Sequence, residues 1–136
     1  MTNQMTLPGY FETTIPATLV YLWGKLDNTT HKFIARATFI KNGKKEAMTR
    51  VFKDAKHERM LDACAEVKAA ETAIQHARDN GIKNITLHYH APCVGGWGDG
   101  TWKTGSEYSA KFHETVKSAR NDGMTITFKK VERLTK

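Results

Sequence analysis

Apolar residues recur along this chain with two different periods, and the change from one period to the other constrains the fold. Between Phe33 and Phe39, apolar and polar residues alternate, which predicts a strand. From about Glu58 the apolar residues recur at steps of three and four, as they do along one side of a helix. The positions on this stripe are Met60, Cys64, Val67, Ala70, Ile74 and Ala77. A sheet-forming segment is therefore followed by a long helix.

The remaining segments complete the order of elements. The apolar run Leu19–Trp23 predicts a strand covered on both faces, and Asn42-Gly43 predicts a tight hairpin because both residues tolerate positive φ. Further strands are predicted over Glu46–Lys53, Ile85–Tyr89 and Met124–Phe128, and a second helix around Tyr108, Phe112 and Val116. We therefore expect an α/β (mixed α+β) fold, a five-stranded mixed sheet in which three antiparallel strands precede helix, strand, helix and strand. Residues 18–136 are expected to form this single domain, and residues 1–17 an extended N-terminal arm.

The charge of the chain indicates the class of its partner. Lys and Arg number 21 against 14 Asp and Glu, which gives a net charge of +7 and a pI near 9.5. An excess of this size on a small domain favours an anionic partner such as nucleic acid, although it also serves solubility. Two cysteines are too few for a disulfide framework, and neither a signal peptide nor a membrane span is apparent. We therefore expect a cytoplasmic protein with reduced thiols and no membrane partner.

The segment His88–Lys103 carries the most specific motif in the sequence. The pattern Trp-x-x-Gly-x-Trp-Lys is formed by Trp97, Gly100, Trp102 and Lys103. This segment resembles that of bacterial ribonuclease H-like proteins, in which a strand ends on a catalytic aspartate and the tryptophan motif follows. The predicted order of elements over 19–131 is also that of the ribonuclease H fold. Where the family carries its aspartate, this chain has His90.

The resemblance implies a metal-dependent chemistry that the sequence supports only in part. Ribonucleases H cleave the RNA strand of an RNA–DNA hybrid with two magnesium ions held by four carboxylates. Matching the glycine after the first aspartate to Gly24 puts Trp23 at the ligand position, and Glu66 matches the second ligand. The third is His90, and the fourth belongs to a C-terminal helix that a sequence ending at Lys136 does not reach.

We therefore expect a non-catalytic protein, a pseudoenzyme with no catalytic residues, no metal and no cofactor. Glu66, the one matched carboxylate, is then expected to be a remnant or a surface glutamate. A weakly active metal-dependent ribonuclease remains an alternative.

A zinc site is a further alternative. His88 and His90 lie two residues apart on one face of a strand, and Cys93 follows closely. Three nitrogen and sulfur ligands of this kind can hold zinc with one open position. The pattern is loose and Pro92 restricts the turn, so a half-buried histidine and a free thiol are favoured.

Basic and aromatic residues predict where nucleic acid binds. Exposed rings can stack on bases or sugars while lysines neutralise phosphates. The predicted nucleic-acid-binding residues are Lys41, Lys44, Lys45, Trp97, Trp102, Lys103 and Lys111. A further basic group at the end of the chain is Lys129, Lys130, Arg133 and Lys136. The expected partner is RNA or an RNA-containing duplex.

Two alternatives to this interface stay open. Trp97 and Trp102 could instead hold the second helix on the sheet, since tryptophan is largely buried on average. The former catalytic cleft, lined by Trp23 and His90, could instead make the protein a protein-binding module. Salt-sensitive binding to nucleic acid separates these functions, because counterion release accompanies contacts with phosphates.

Overall fold

The described residues form strands and helices in the predicted order, with two additional helical segments. The structure, a computed structural model, describes residues 16–132. The strands are β1 (Thr18–Asp27), β2 (Lys32–Lys41), β3 (Lys44–Phe52), β4 (Asn84–Tyr89) and β5 (Thr125–Lys130), and the α-helices are α1 (Asp62–Asp79), α2 (Pro92–Asp99) and α3 (Glu107–Asn121). A 3-10 helix over Ala55–Met60 precedes α1. Residues 1–15 of the predicted arm and residues 133–136 lie outside the described residues.

The strands form one mixed sheet in the order β3-β2-β1-β4-β5. β1 pairs antiparallel with β2 and β2 with β3, whereas the β1–β4 and β4–β5 pairs are parallel and are connected through helices. The tight hairpin is confirmed, since Asn42 and Gly43 have φ of 54° and 78° between the paired Lys41 and Lys44. The predicted five-stranded mixed sheet is confirmed.

The core lies on one face of this sheet. Val20 in β1 and Phe33 in β2 are fully buried, and so is Phe112 in α3. They pack with the alanine-rich side of α1 in one cluster, and burying each large side chain stabilises the fold by about 1.5–3 kcal/mol. Ser106 caps α3, its hydroxyl oxygen accepting a hydrogen bond from the backbone N–H of Ser109 at 3.1 Å.

The other face of the sheet is covered by no helix of the described residues. Leu19 and Tyr21 in β1 point to it and are 38% and 41% exposed. The expectation that β1 is covered on both faces is therefore wrong, because α1, α2 and α3 all pack on the face of Val20. This side is termed the open face. It consists of Leu19, Tyr21, Trp23, Lys25 and Asp27 in β1, Lys32, Ile34, Arg36, Thr38 and Ile40 in β2, Lys45, Ala47, Thr49 and Val51 in β3, Asn84, Thr86 and His88 in β4, and Thr125, Thr127 and Lys129 in β5.

The helices differ from the sequence-based expectation in two respects. The long helix begins at Asp62 rather than near Glu58, because Leu61, with φ of 56°, separates α1 from the 3-10 helix. The glycine and tryptophan segment, for which no helix was predicted, forms α2, with Pro92 in its first turn and Gly100 at its end. Among residues 16–132, no helix is long and apolar enough to cross a membrane.

Candidate functional site

The buried carboxylate of Glu66 lies where α1, β4 and α2 meet. Glu66 is 3% exposed. Its Oε2 accepts a hydrogen bond from the backbone N–H of His90 at 2.6 Å and lies 3.0 Å from His90 Nδ1, while Oε1 accepts from the N–H of Ala91 at 2.8 Å. Ala91 is the N-cap of α2, so the negative charge sits where the helix dipole favours an anion. The expectation of a surface glutamate is wrong, since this carboxylate holds the end of β4 to the start of α2.

α1 reaches this junction because Gly24 leaves room for it. A Cβ atom at Gly24 would lie 2.4 Å from the backbone N of Glu66 and 2.8 Å from the backbone C of Ala65, so α1 crosses β1 in direct contact. Trp23, one residue earlier, points to the open face, where the Arg36 guanidinium lies 5.1 Å from its ring centroid. The residue matched to the first family aspartate is therefore a tryptophan engaged with an arginine.

In the described part of the chain, the candidate zinc ligands do not come together. Within 16–132, no group of three or more His, Cys, Asp or Glu side chains is placed to hold a metal ion. His88 has other partners, since its Nδ1 lies 3.1 Å from the carbonyl O of Val20 and its ring stacks on Tyr21 with centroids 4.2 Å apart. His90 is engaged with the buried carboxylate of Glu66. The geometry gives the zinc hypothesis no support.

The third candidate ligand, Cys93, is expected to be a poorly reactive thiol. Burial, with the charge of Glu66 as the second cause, raises the pKa of the Cys93 thiol from 9.0 to about 11, and only the thiolate is nucleophilic. Because the pKa is higher in the folded state, the folded protein favours the neutral Cys93 thiol. This contribution to the free energy of unfolding is fully present below pH 9 and is lost as the pH rises towards about 11. Iodoacetamide at mildly alkaline pH, followed by mass spectrometry, should modify Cys93 far more slowly in the native protein than in urea. Equal rates in both states would contradict this protection.

The two tryptophans of the motif are placed differently. Trp97 in α2 is half-buried and meets Tyr108 of α3 edge to face at 6.4 Å, and its carbonyl O lies 3.0 Å from Nδ1 of His113. It joins α2 to α3, which agrees with the packing alternative. Trp102 is 48% exposed, and its backbone N–H donates to the carbonyl of Gly96 at 3.1 Å. A Cβ atom at Gly96 would lie 2.5 Å from the Trp102 ring, so the ring lies against α2 with its outer side in solvent.

The predicted lysines at the hairpin are far from this motif. Lys41, Lys44 and Lys45 are exposed and line one hollow beside Thr18, at the start of β1. β1 and β4 run parallel, and α2 with the exposed Trp102-Lys103 pair follows the end of β4. A strand as long as β4, six residues, spans about 20 Å. The hairpin and the tryptophan motif therefore lie at opposite ends of the sheet.

The other predicted basic residues occupy further places. Lys111 on α3 lines a hollow shared with β3 and α1, and Lys129 lies on the open face. Arg133 and Lys136 lie outside the described residues. The predicted binding residues thus do not form one surface, although Trp102 and Lys103 remain adjacent and the hairpin lysines remain together.

Sequence reasoning missed two features of this region. The contact of Glu66 with His90 joins residues 24 positions apart, and no spacing pattern announces it. The open face was missed because Leu19, Tyr21 and Trp23 are apolar although they alternate with the buried residues. Lys25, exposed at the next position of this phase, is the signal that could have revealed it.

Comparison with known proteins places the fold. No protein-family model matches the sequence, and a comparison with curated proteins also gives no match. Ribonuclease H1 of the halophilic archaeon Halobacterium salinarum is similar in structure, with a TM-score of 0.67 at 14% identity over 87% of each chain. LC11 ribonuclease H1 in complex with an RNA/DNA hybrid gives 0.69 at 10% identity over 85% of this chain and 86% of that one. The N-terminal ribonuclease H domain of a Mycobacterium tuberculosis protein gives 0.66 at 11% identity, over 87% and 88%.

This chain therefore has a ribonuclease H-like fold. Identities of 10–14% establish the fold alone, because one fold hosts many activities.

Proposed function

We propose that this protein binds nucleic acid without cleaving it, and that its partner is RNA or an RNA-containing duplex. The net charge of +7 favours a polyanion. A protein of the same fold, LC11 ribonuclease H1, has been solved with an RNA/DNA hybrid. The exposed Trp102 and Lys103 contact the duplex, and the hairpin lysines extend the interface for longer duplexes.

The non-catalytic part of this proposal rests on the hydrogen bonds that the Glu66 carboxylate accepts. A two-metal nuclease needs several carboxylates whose lone pairs point at a pair of ions about 3.5–4 Å apart. Both carboxylate oxygens of Glu66 already accept backbone hydrogen bonds, at 2.6 Å from His90 and 2.8 Å from Ala91. The matched third position supplies an imidazole, whereas magnesium prefers oxygen ligands. The carboxylate thus serves the junction of β4 and α2.

Incubation of a labelled RNA–DNA hybrid with the full chain and Mg²⁺ or Mn²⁺ is expected to leave the RNA strand intact. Millimolar Mg²⁺ should also leave the thermal midpoint unchanged, since a ligand stabilises a protein only by binding its folded state. Glu66→Gln is the control variant, because it keeps an amide oxygen as acceptor but removes the charge. Cleavage that Glu66→Gln abolishes would establish the weakly active ribonuclease instead.

Trp102→Ala is expected to weaken hybrid binding by about 1 kcal/mol, the low end of the range for aromatic stacking on nucleic acid, because the ring packs on a sugar of the duplex and not on a free base. Because the ring is half exposed, the free energy of unfolding should change by no more than about 0.5 kcal/mol. Trp97→Ala is the matched control. It removes a half-buried ring and should lower the free energy of unfolding by about 2–3 kcal/mol with affinity retained. Anisotropy titrations and urea denaturation measure both quantities, and two variants that lose only stability would assign both rings to packing.

The salt dependence of binding tests the lysines. Lys103→Glu should reduce the log–log slope of hybrid affinity against salt concentration by about 0.9 for each phosphate that the protein no longer neutralises. Charge reversal at Lys41, Lys44 and Lys45 should reduce the slope only for hybrids longer than about 20 Å, because the hairpin and the motif are separated along the sheet by at least the length of one strand. Failure to bind any nucleic acid at low salt would favour the protein-binding module.

A further inference from the structure

The open face presents aromatic rings in fixed positions. Tyr21 is 41% exposed and stacks on His88, with ring planes 10° apart. His88 is itself held, since its Nδ1 lies 3.1 Å from the carbonyl O of Val20. Trp23, one position further along the same face of β1, lies beneath the Arg36 guanidinium. His88 therefore holds one side of the Tyr21 ring in place. A ligand can stack on the other side at little cost in side-chain entropy.

The charges on the open face are predominantly positive. Its charged side chains are Lys25, Lys32, Arg36, Lys45 and Lys129, against one carboxylate, Asp27, at the end of β1. The Asp27 carboxylate accepts hydrogen bonds from the backbone N–H groups of Thr29 and Thr30. Glu46 in β3 pairs with Phe39 and thus points to the opposite side of the sheet. A face with rings near its centre and cations around them matches a ligand that has flat bases and phosphates.

We propose that the open face binds a single strand of nucleic acid, with a base stacked on Tyr21 and phosphates at Arg36 and Lys129. This rests on the proposed function for the class of partner but assigns a separate surface, on the side of the sheet opposite α2 and Trp102. Single strands are the ligand because a base inside a duplex has no free face to stack. Exposed aromatic residues on a sheet stack two or three bases in other RNA-binding folds, and stacking tolerates any base. RNA and DNA share this chemistry.

The test uses the full chain and labelled oligouridylate, oligothymidylate and a blunt RNA–DNA hybrid. Tyr21→Ala should weaken binding of a single strand by about 5- to 150-fold, and Tyr21→Phe, which keeps the ring, should retain it. Arg36→Glu should reduce the single-strand salt slope by about 0.7 or more. Arg50→Glu is the matched control, since Arg50 is exposed on the neighbouring strand but pairs with Ala35 and points to the helix side. Hybrid binding should be unchanged in all four variants.

The outcomes separate this inference from the proposed function. Loss of single-strand binding in Tyr21→Ala supports the open face as the binding site. Whether binding of oligouridylate, of oligothymidylate or of both is lost shows whether the site accepts ribose, deoxyribose or both. Single-strand binding that depends on Trp102 and not on Tyr21 overturns the inference and leaves the proposed function standing. Two results with unchanged affinity in Tyr21→Ala and Arg36→Glu would overturn the inference. A lower thermal midpoint would favour residues 1–15 as the occupant of this face, and loss of a dimer would favour a second copy of the chain. No binding of any probe at low salt overturns both proposals.

Discussion

Glu66→Ala is expected to lower the free energy of unfolding by about 3–5 kcal/mol, because two backbone donors lose their acceptor. The substitution leaves the backbone N–H groups of His90 and Ala91 without the acceptor that they have at 2.6 and 2.8 Å. Each buried donor left unsatisfied costs about 1–3 kcal/mol. The substitution also removes the negative charge at the start of α2, where it interacts favourably with the helix dipole. Urea denaturation followed by circular dichroism measures the change.

Glu71→Ala is the matched control on the same helix. Glu71 is only partly buried, and its carboxylate pairs with Lys68 at 3.0 Å, an ion pair worth at most about 1 kcal/mol near the surface. A loss in Glu66→Ala as small as that in Glu71→Ala would show that the carboxylate does not hold the junction. A gain in stability would point instead to a carboxylate retained for chemistry, since functional sites commonly lower stability.

The order of strands could be predicted because local signals and long-range pairing agree. Alternation over Phe33–Phe39 and the Asn42-Gly43 turn fix the first hairpins, and right-handed crossovers then leave few arrangements for β4 and β5. The resemblance at the tryptophan motif reached the same fold independently. Both therefore led to the sheet that the structure contains.

α2 could not be predicted because its glycines disfavour a helix by about 1 kcal/mol each. The cause lies outside the segment. A Cβ atom at Gly95 would lie 2.2 Å from the Tyr89 hydroxyl, and one at Gly98 would lie 2.4 Å from the Phe128 ring. The glycines admit these rings, so packing overrides propensity. Pro92 at the first turn and Gly100 after the last were the usable signals.

The sequence drew attention to the residues of the Glu66 junction but not to their arrangement. Matching to the family singled out Glu66 and His90, yet only the fold shows that they contact each other. Clustering of lysines along the sequence indicated a basic surface. The sheet separates the hairpin lysines from Trp102, because sequence proximity fixes neighbours only within one element. Pairing in the sheet also divides Lys44 from Lys45, which point to opposite sides because alternate residues do so.

Gly24→Ala is expected to cost about 3 kcal/mol, the upper end of the range for an overpacked core. The new Cβ atom would lie 2.4 Å from the backbone N of Glu66 and 2.8 Å from the Cβ atom of Ala65. Ordinary contact begins at 3.4 Å, so α1 would have to move from β1 by about 1 Å through a close-packed interior. The nearest atoms include the backbone of α1, which cannot rotate aside as a surface side chain can. Gly105→Ala is the control, since nothing lies within 4 Å of a Cβ atom there, and a change within about 0.5 kcal/mol is expected.

The same displacement would pull the Glu66 carboxylate away from the donors at the start of α2, so the effects of the two substitutions should overlap. Hydrogen bonds of 2.6–2.8 Å to His90 and Ala91 weaken steeply when α1 shifts by about 1 Å. In the double variant Gly24→Ala, Glu66→Ala, the total loss of stability should therefore fall short of the sum of the single losses by about 0.5–3 kcal/mol. A cycle of urea denaturation curves on the four proteins measures this coupling. Additive losses would mean that β1 does not position the carboxylate, and that Gly24 and Glu66 stabilise the fold independently.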